Sequence, residues 1–208
     1  ATHFFSFLTG FISTRAIVLD KLLPFGLSFI AGCSLPLTPS AALGIFIGYF
    51  IPSGDTNAFR YIAALFAILA IKLLLSSYEK LVSNPFFITF IAFISNILTS
   101  AVALKSAKIN FLDFAVDGLL CAAGAYFTAI SFKALQKQAT GLSADELSAL
   151  LIVISLLLMG LNGFELNGVS LGRILGILLI LTASKYGGII SGAVGGIAVA
   201  LTLSLSGV

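Results

Sequence analysis

Four residues carry the chemistry this chain could perform: Arg15, Lys72, Asn96 and Asp117, each a polar group within or beside an apolar run. An ionisable group at membrane depth is energetically costly and marks ion or proton paths in transport proteins. Asp113 and Asp117 are four residues apart, so on a helix they share a face. A proton path is one reading of that pair. The other is electrostatic: both carboxylates fall in the first two turns of an expected helix, where the positive end of the helix dipole favours them. Lys72 lies near the end of its apolar run and Arg15 lies close to Asp20. Both side chains are long enough to snorkel to headgroups, and that is the expectation for each.

Other chemistries lack their residues. His3 is the single histidine and sits at the extreme end, so it brings no metal-ligand set with it. No H-E-x-x-H, G-x-S-x-G, G-x-G-x-x-G or P-loop motif occurs. Cys33 and Cys121 both lie in apolar runs and read as small buried hydrophobes. No basic patch with interleaved aromatics is present, so nucleic acid is not an expected partner.

The elements that must position these groups follow from composition. Of 208 residues, 59% are hydrophobic and 9% are charged, with a mean hydropathy of +1.15. Soluble domains carry about 25% charged residues. A soluble chain of this composition would expose large apolar patches, whereas a bilayer is itself the solvent for such a surface. Most charges sit near breaks in the apolar runs, among them Asp20 and Lys21, Asp55 and Arg60, Glu79 and Lys80, Lys105 and Lys108, and Lys133 and Lys137. That is the pattern of a chain crossing a bilayer and returning to water. Successive loops near 105–110 and 133–142 each hold two lysines, so charge does not select an orientation. The first residues, Ala1 to Phe7, lack the basic n-region of a signal peptide.

A spanning helix needs about 20 mostly apolar residues. The long apolar segments are 61–77, 86–104, 111–135, 144–161 and 186–207. Four shorter ones are 4–19, 22–35, 39–52 and 170–184, with a turn at Pro36-Leu37-Thr38-Pro39. The expectation is an all-α, polytopic transmembrane bundle over residues 1–208, with about seven to nine apolar segments, some short or broken. Its partner is the lipid bilayer. Pro52-Ser53-Gly54-Asp55, Gly141, and Asn162-Gly163 with Asn167-Gly168 mark turns. Ser143-Ala144-Asp145-Glu146 has the spacing of a capping box and fixes the start of the 144–161 helix.

Glycines recur every fourth residue: Gly44 and Gly48; Gly172 and Gly176; Gly188, Gly192 and Gly196. That spacing aligns them on one helix face and lets two backbones approach closely. The contact would be within the bundle or between copies of the chain.

Two stretches carry a family resemblance. One runs Gly10-Phe11-Ile12-Ser13-Thr14-Arg15-Ala16-Ile17-Val18-Leu19, then Leu22-Leu23-Pro24-Phe25-Gly26-Leu27-Ser28-Phe29 and Ala31-Gly32. The other runs from Ser143 to Leu161 through Gly163, Arg173 and Gly187-Gly188 to Gly207. Together they resemble the amino-terminal membrane region of stage II sporulation protein E of endospore-forming bacteria. The G-F-x-x-x-R-A segment followed by L-P-F is the most specific part.

The resemblance implies a membrane anchor. The family's full-length protein has further spans, a linking region and a cytoplasmic PP2C-type phosphatase domain that uses manganese or magnesium. That phosphatase activates the forespore sigma factor by dephosphorylating an anti-anti-sigma factor. The protein localises to the polar division septum and meets the tubulin-like division protein there. The phosphatase and its metal-binding aspartates are expected outside this chain, so no catalytic residue and no cofactor carries over to any position. Arg15, Pro24 and Gly32 fit the family-like stretch as structural residues. The competing expectation is a small multi-helix transporter or substrate-binding membrane component, favoured by short broken helices and glycine-rich segments. It requires a polar mid-membrane cavity lined by Arg15, Asn96 or Asp117.

Overall fold

The computed structural model describes residues 2–19, 21–51, 58–103, 111–137, 142–166 and 169–205. Asp20, the Pro52–Asp55 turn, Lys105, Lys108, Gly141, Asn167 and Gly168 lie outside the described residues. The described chain is almost wholly helical. The helices are α1 (Thr2–Ser13), α2 (Phe25–Gly32), α3 (Thr38–Phe50), α4 (Ala58–Leu74), α5 (Glu79–Val82), α6 (Pro85–Ala103), α7 (Phe111–Gln136), α8 (Ala144–Leu161) and α9 (Leu171–Leu205). A 3-10 turn at Leu35–Leu37 joins α2 to α3, at the proline-bounded break expected there. A two-stranded hairpin joins α8 to α9, with β1 (Glu165–Leu166) antiparallel to β2 (Val169–Ser170).

Among the described residues, three helices are long and apolar enough to cross a bilayer: Pro85–Val102, Phe111–Gln136 and Ala144–Leu161. At 1.5 Å per residue, the 26 residues of α7 give about 39 Å. That approaches the ~40–45 Å of a bilayer with its headgroups. The start of α8 is fixed as its spacing predicts. The Glu146 N–H donates to Ser143 Oγ at 3.3 Å, and the Ser143 N–H donates to Glu146 Oε2 at 3.0 Å. Lys137 reaches across from the end of α7 to pair with Glu146.

The core is built around α2. All eight of its residues are buried, and it packs against α7, α6, α4, α1 and α3. A helix surrounded on every side must be apolar all round, and Phe25-Gly26-Leu27-Ser28-Phe29-Ile30-Ala31-Gly32 meets that requirement. The Ser28 hydroxyl donates to the Cys121 carbonyl of α7 at 2.8 Å. Cys33 and Cys121 are both buried free thiols.

Glycines let the helices approach. A Cβ on Gly44 of α3 would collide with the Phe7 carbonyl oxygen of α1, and one on Gly48 with Thr14 Oγ1. From the other side, a Cβ on Gly10 would stand 2.7 Å from the Ala41 carbonyl oxygen. Gly160 of α8 meets Ile12 of α1 in the same way, and Gly172 of α9 meets Leu158 of α8. Backbone cannot swing aside as a flexible side chain can. Gly44→Val is therefore expected to destabilise the domain by about 1–3 kcal/mol. The check is the unfolding midpoint of the purified protein in detergent, with Gly163→Val, at a glycine with open space around it, as the neutral comparison.

The glycine-rich carboxyl end departs from a single face of three glycines. Gly188 has φ +74° and interrupts α9. A Cβ on Gly192 would lie 2.8 Å from Ser184, and one on Gly195 lies 3.7 Å from Ala183. In a continuous helix, residues eight and twelve apart would be separated by about 12 and 18 Å. The chain therefore folds back at Gly188 into two limbs, and the left-handed φ that permits the reversal is one glycine adopts readily. Gly188 is thus a turn residue and does not share a packing face with Gly192 and Gly196. Gly176 is buried on the first limb, whereas Gly196 has open space around it.

Candidate functional site

The polar centre of the bundle lies where α4, α6 and α7 meet the start of α2. Arg60 of α4 and Asp117 of α7 form an ion pair, Nη2 to Oδ2 at 3.1 Å, with side-chain exposures of 1% and 0%. Sequence placed Arg60 at the water-facing end of its segment. The fold instead turns it inward, where it is fully enclosed. Tyr61 donates its hydroxyl to Asp117 Oδ1 at 3.1 Å, and Asn96 Nδ2 of α6 donates to Asp117 Oδ2 at 3.1 Å. Arg60 donates through Nη1 to Ser100 Oγ at 3.1 Å and through Nη2 to the Tyr61 hydroxyl. Its guanidinium also lies 4.4 Å from the Tyr61 ring centroid and 5.6 Å from that of Phe114. Both charges are thus compensated inside the bundle, the condition for holding an ion pair away from water.

This cluster also holds the start of α2. The Leu23 N–H donates to the Tyr61 hydroxyl at 2.8 Å, and the Tyr49 hydroxyl donates to the Leu23 carbonyl at 2.8 Å. The two tyrosine rings stack at 5.2 Å. Pro24 follows at the N-cap position and brings no N–H to satisfy.

Lys72 holds the other end. Its ammonium donates to the carbonyls of Ile30 at 2.8 Å, Ala31 at 3.1 Å and Cys33 at 2.6 Å. The residue is 3% exposed. This corrects the snorkelling expectation: Lys72 turns inward because the α2 carboxyl terminus presents unsatisfied carbonyls and the negative end of a helix dipole. Eight residues make α2 roughly 12 Å long, and Tyr61 and Lys72 are about 16 Å apart along α4. One helix therefore reaches past both ends of another and satisfies each.

The remaining groups stand apart. Asp113 pairs with Lys21 at 2.6 Å, at the edge of the bundle. The paired aspartates, though four residues apart, serve different partners. Arg15 is half-buried, 5.4 Å from the Phe11 ring centroid, and does not join the cluster. Nothing in the sequence marks Tyr49, Tyr61 or Ser100, since aromatics and serines are common throughout apolar segments. The signal for Arg60 is slight: it stands immediately before the apolar run 61–77, in what becomes the first turn of α4. Among the described residues, no group of three His, Cys, Asp or Glu is placed to hold a metal ion.

Apolar helices packed around an internally neutralised ion pair and a short clamped helix define a helical membrane domain. The chain belongs to the SpoIIE N-terminal domain family: the family model described as SpoIIE, N-terminal domain, matches residues 1–208, the whole chain given. No curated protein and no solved structure matches it.

Proposed function

We propose that this domain anchors a sporulation-specific serine/threonine phosphatase in the bacterial cell membrane and concentrates it at the polar division septum. The family match over residues 1–208 carries the reading. The three long apolar helices among the described residues support it. By family resemblance, the attached phosphatase is of the PP2C type, depends on manganese or magnesium, and dephosphorylates an anti-anti-sigma factor to release the forespore sigma factor. The domain's part in that chemistry is spatial. Confinement to one membrane raises the local concentration of the phosphatase, and self-association or contact with division proteins sets where on that membrane it collects.

The transporter alternative required Arg15, Asn96 or Asp117 to face a polar cavity. Asn96 and Asp117 face each other and Arg60. The described cavities are lined by other residues.

The test is a fluorescent fusion of this domain alone, expressed in sporulating cells without its own phosphatase. Enrichment at the polar septum over the lateral membrane is the expected result. Uniform membrane fluorescence would show that the domain anchors without localising.

A further inference from the structure

A cavity of about 380 Å³ lies at the end of α2, where α6 begins and α7 ends. Helices α2, α6 and α7 pack on one another and wall it on the bundle side. Cys33 forms part of its floor. Beneath that floor α2 lies hard against α7: a Cβ on Gly32 would stand 2.6 Å from Thr128 Cβ and 2.8 Å from the Ala129 nitrogen. The mouth is made of turns, with Ser34 from the α2–α3 connection and Ser83 from the α5–α6 connection. The cavity therefore opens toward water at one membrane surface and is closed toward the centre of the bundle.

One face of α7 supplies its chemistry. Ala129, Phe132, Lys133 and Gln136 are spaced as neighbours on one side of a helix, and all four line the cavity. Among the described residues, Lys133 is the one charged group in the lining and has no ion-pair partner. Lys137, one turn on, pairs with Glu146 instead. Lys133, Gln136 and Ser83 are exposed at the mouth, whereas Val82 and Ile88 are buried apolar wall.

An apolar lining with a few convergent polar groups, in a volume of this size, is the usual form of a small-molecule site. A cation, an amide and hydroxyls with no carboxylate among them select an anion. An inorganic anion would leave the apolar walls uncovered. An acyl chain would have to enter from the hydrocarbon side, where α2, α6 and α7 are packed together.

We propose that this cavity binds a small organic anion from the aqueous phase, a carboxylate carried on a short apolar body. The carboxylate accepts from the Lys133 ammonium and the Gln136 amide, and the apolar body lies over Val82, Ile88 and Phe132. Occupancy bears on α2, because Cys33 supplies one of the three carbonyls that Lys72 holds. The site is independent of the septal role.

The test uses the whole chain in phosphatidylcholine nanodiscs at neutral pH, with a trifluoromethyl-labelled hexanoate as probe. Binding is read by fluorine NMR against empty nanodiscs. Saturable binding of the carboxylate is expected, with the corresponding neutral amide about tenfold weaker, the value of one charge-assisted hydrogen bond. Inorganic phosphate should displace neither, since it lacks the apolar body. Lys133→Gln should bring the carboxylate down to the affinity of the amide and leave the amide unchanged. Ser83→Trp, at an exposed position on the rim, should block both. Absence of saturable binding, equal binding of carboxylate and amide, or unchanged binding in either folded variant would overturn the proposal. So would displacement by inorganic phosphate, and so would displacement of the amide by phosphatidylglycerol added to the nanodisc, which would assign the cavity to lipid.

Discussion

Asp117→Ala is expected to destabilise the domain by about 3–5 kcal/mol, because it leaves Arg60 charged and enclosed with no counter-ion. Arg60 keeps its bond to Ser100 and its place over the Tyr61 and Phe114 rings, but neither group carries a negative charge. Tyr61 loses its acceptor as well, and Asn96 loses the partner of its amide. The loss should be read from unfolding in detergent, with Lys21→Ala as a comparison at the half-exposed pair with Asp113. Asp113 is largely buried but Lys21 is half exposed, so water screens that pair in part and Lys21→Ala should cost less than Asp117→Ala.

Replacing both partners separates a structural ion pair from a functional one. The double variant Arg60→Met with Asp117→Leu should recover most of the single-variant loss, since well-packed apolar residues replace buried ion pairs at little or no cost. If Asp117→Ala alone lies within about 1 kcal/mol of wild type, the ion pair does not organise the bundle. Recovered stability without recovered localisation would give the polarity of the cluster a role beyond packing.

Lys72→Met should give the second large effect, about 3 kcal/mol, by removing three charge-assisted hydrogen bonds from the end of α2. Methionine keeps the unbranched apolar stem and lacks only the terminal atom position, so the change isolates the ammonium. The desolvation of a buried ammonium opposes this loss. The bonds prevail because the carbonyls of Ile30, Ala31 and Cys33 are themselves enclosed and would otherwise go unmet. The two thiols provide a local readout. Cys33 lies at the end of α2 and Cys121 faces its middle from α7, and both are buried. In Lys72→Met, a membrane-permeant thiol reagent should label Cys33 much faster while Cys121 stays protected. Equal protection of both thiols would show that α2 holds its place without the clamp.

The two predictions concern one device. Tyr61 and Lys72 fix α2 at its two ends, and Asp117 fixes Tyr61. A helix of eight residues is too short to be stable by itself. Here its stability is conferred by the helices around it.

The sequence by itself determined the helical segments and much of their boundaries. Among the described residues, three of the five long apolar runs formed helices long and apolar enough to cross a bilayer, and the proline break before α3 and the capping box at Ser143 formed where those residues placed them. Local signals also set aside Asn96, Lys72 and Asp117, because a polar group in an apolar run is conspicuous however the chain folds. Their partners were beyond its reach. Whether Lys72 extends to headgroups or turns inward depends on an α2 terminus some forty residues away in sequence. Arg60 looked water-facing because only the packing of α4 against α6 and α2, which brings Asp117 of α7 within reach, encloses its side chain. Gly188 fits a glycine face by spacing, and only its backbone conformation makes it a reversal. Periodicity and capping act within a few residues, whereas the pairing of buried charges is fixed by which helices become neighbours, and only the tertiary structure decides that.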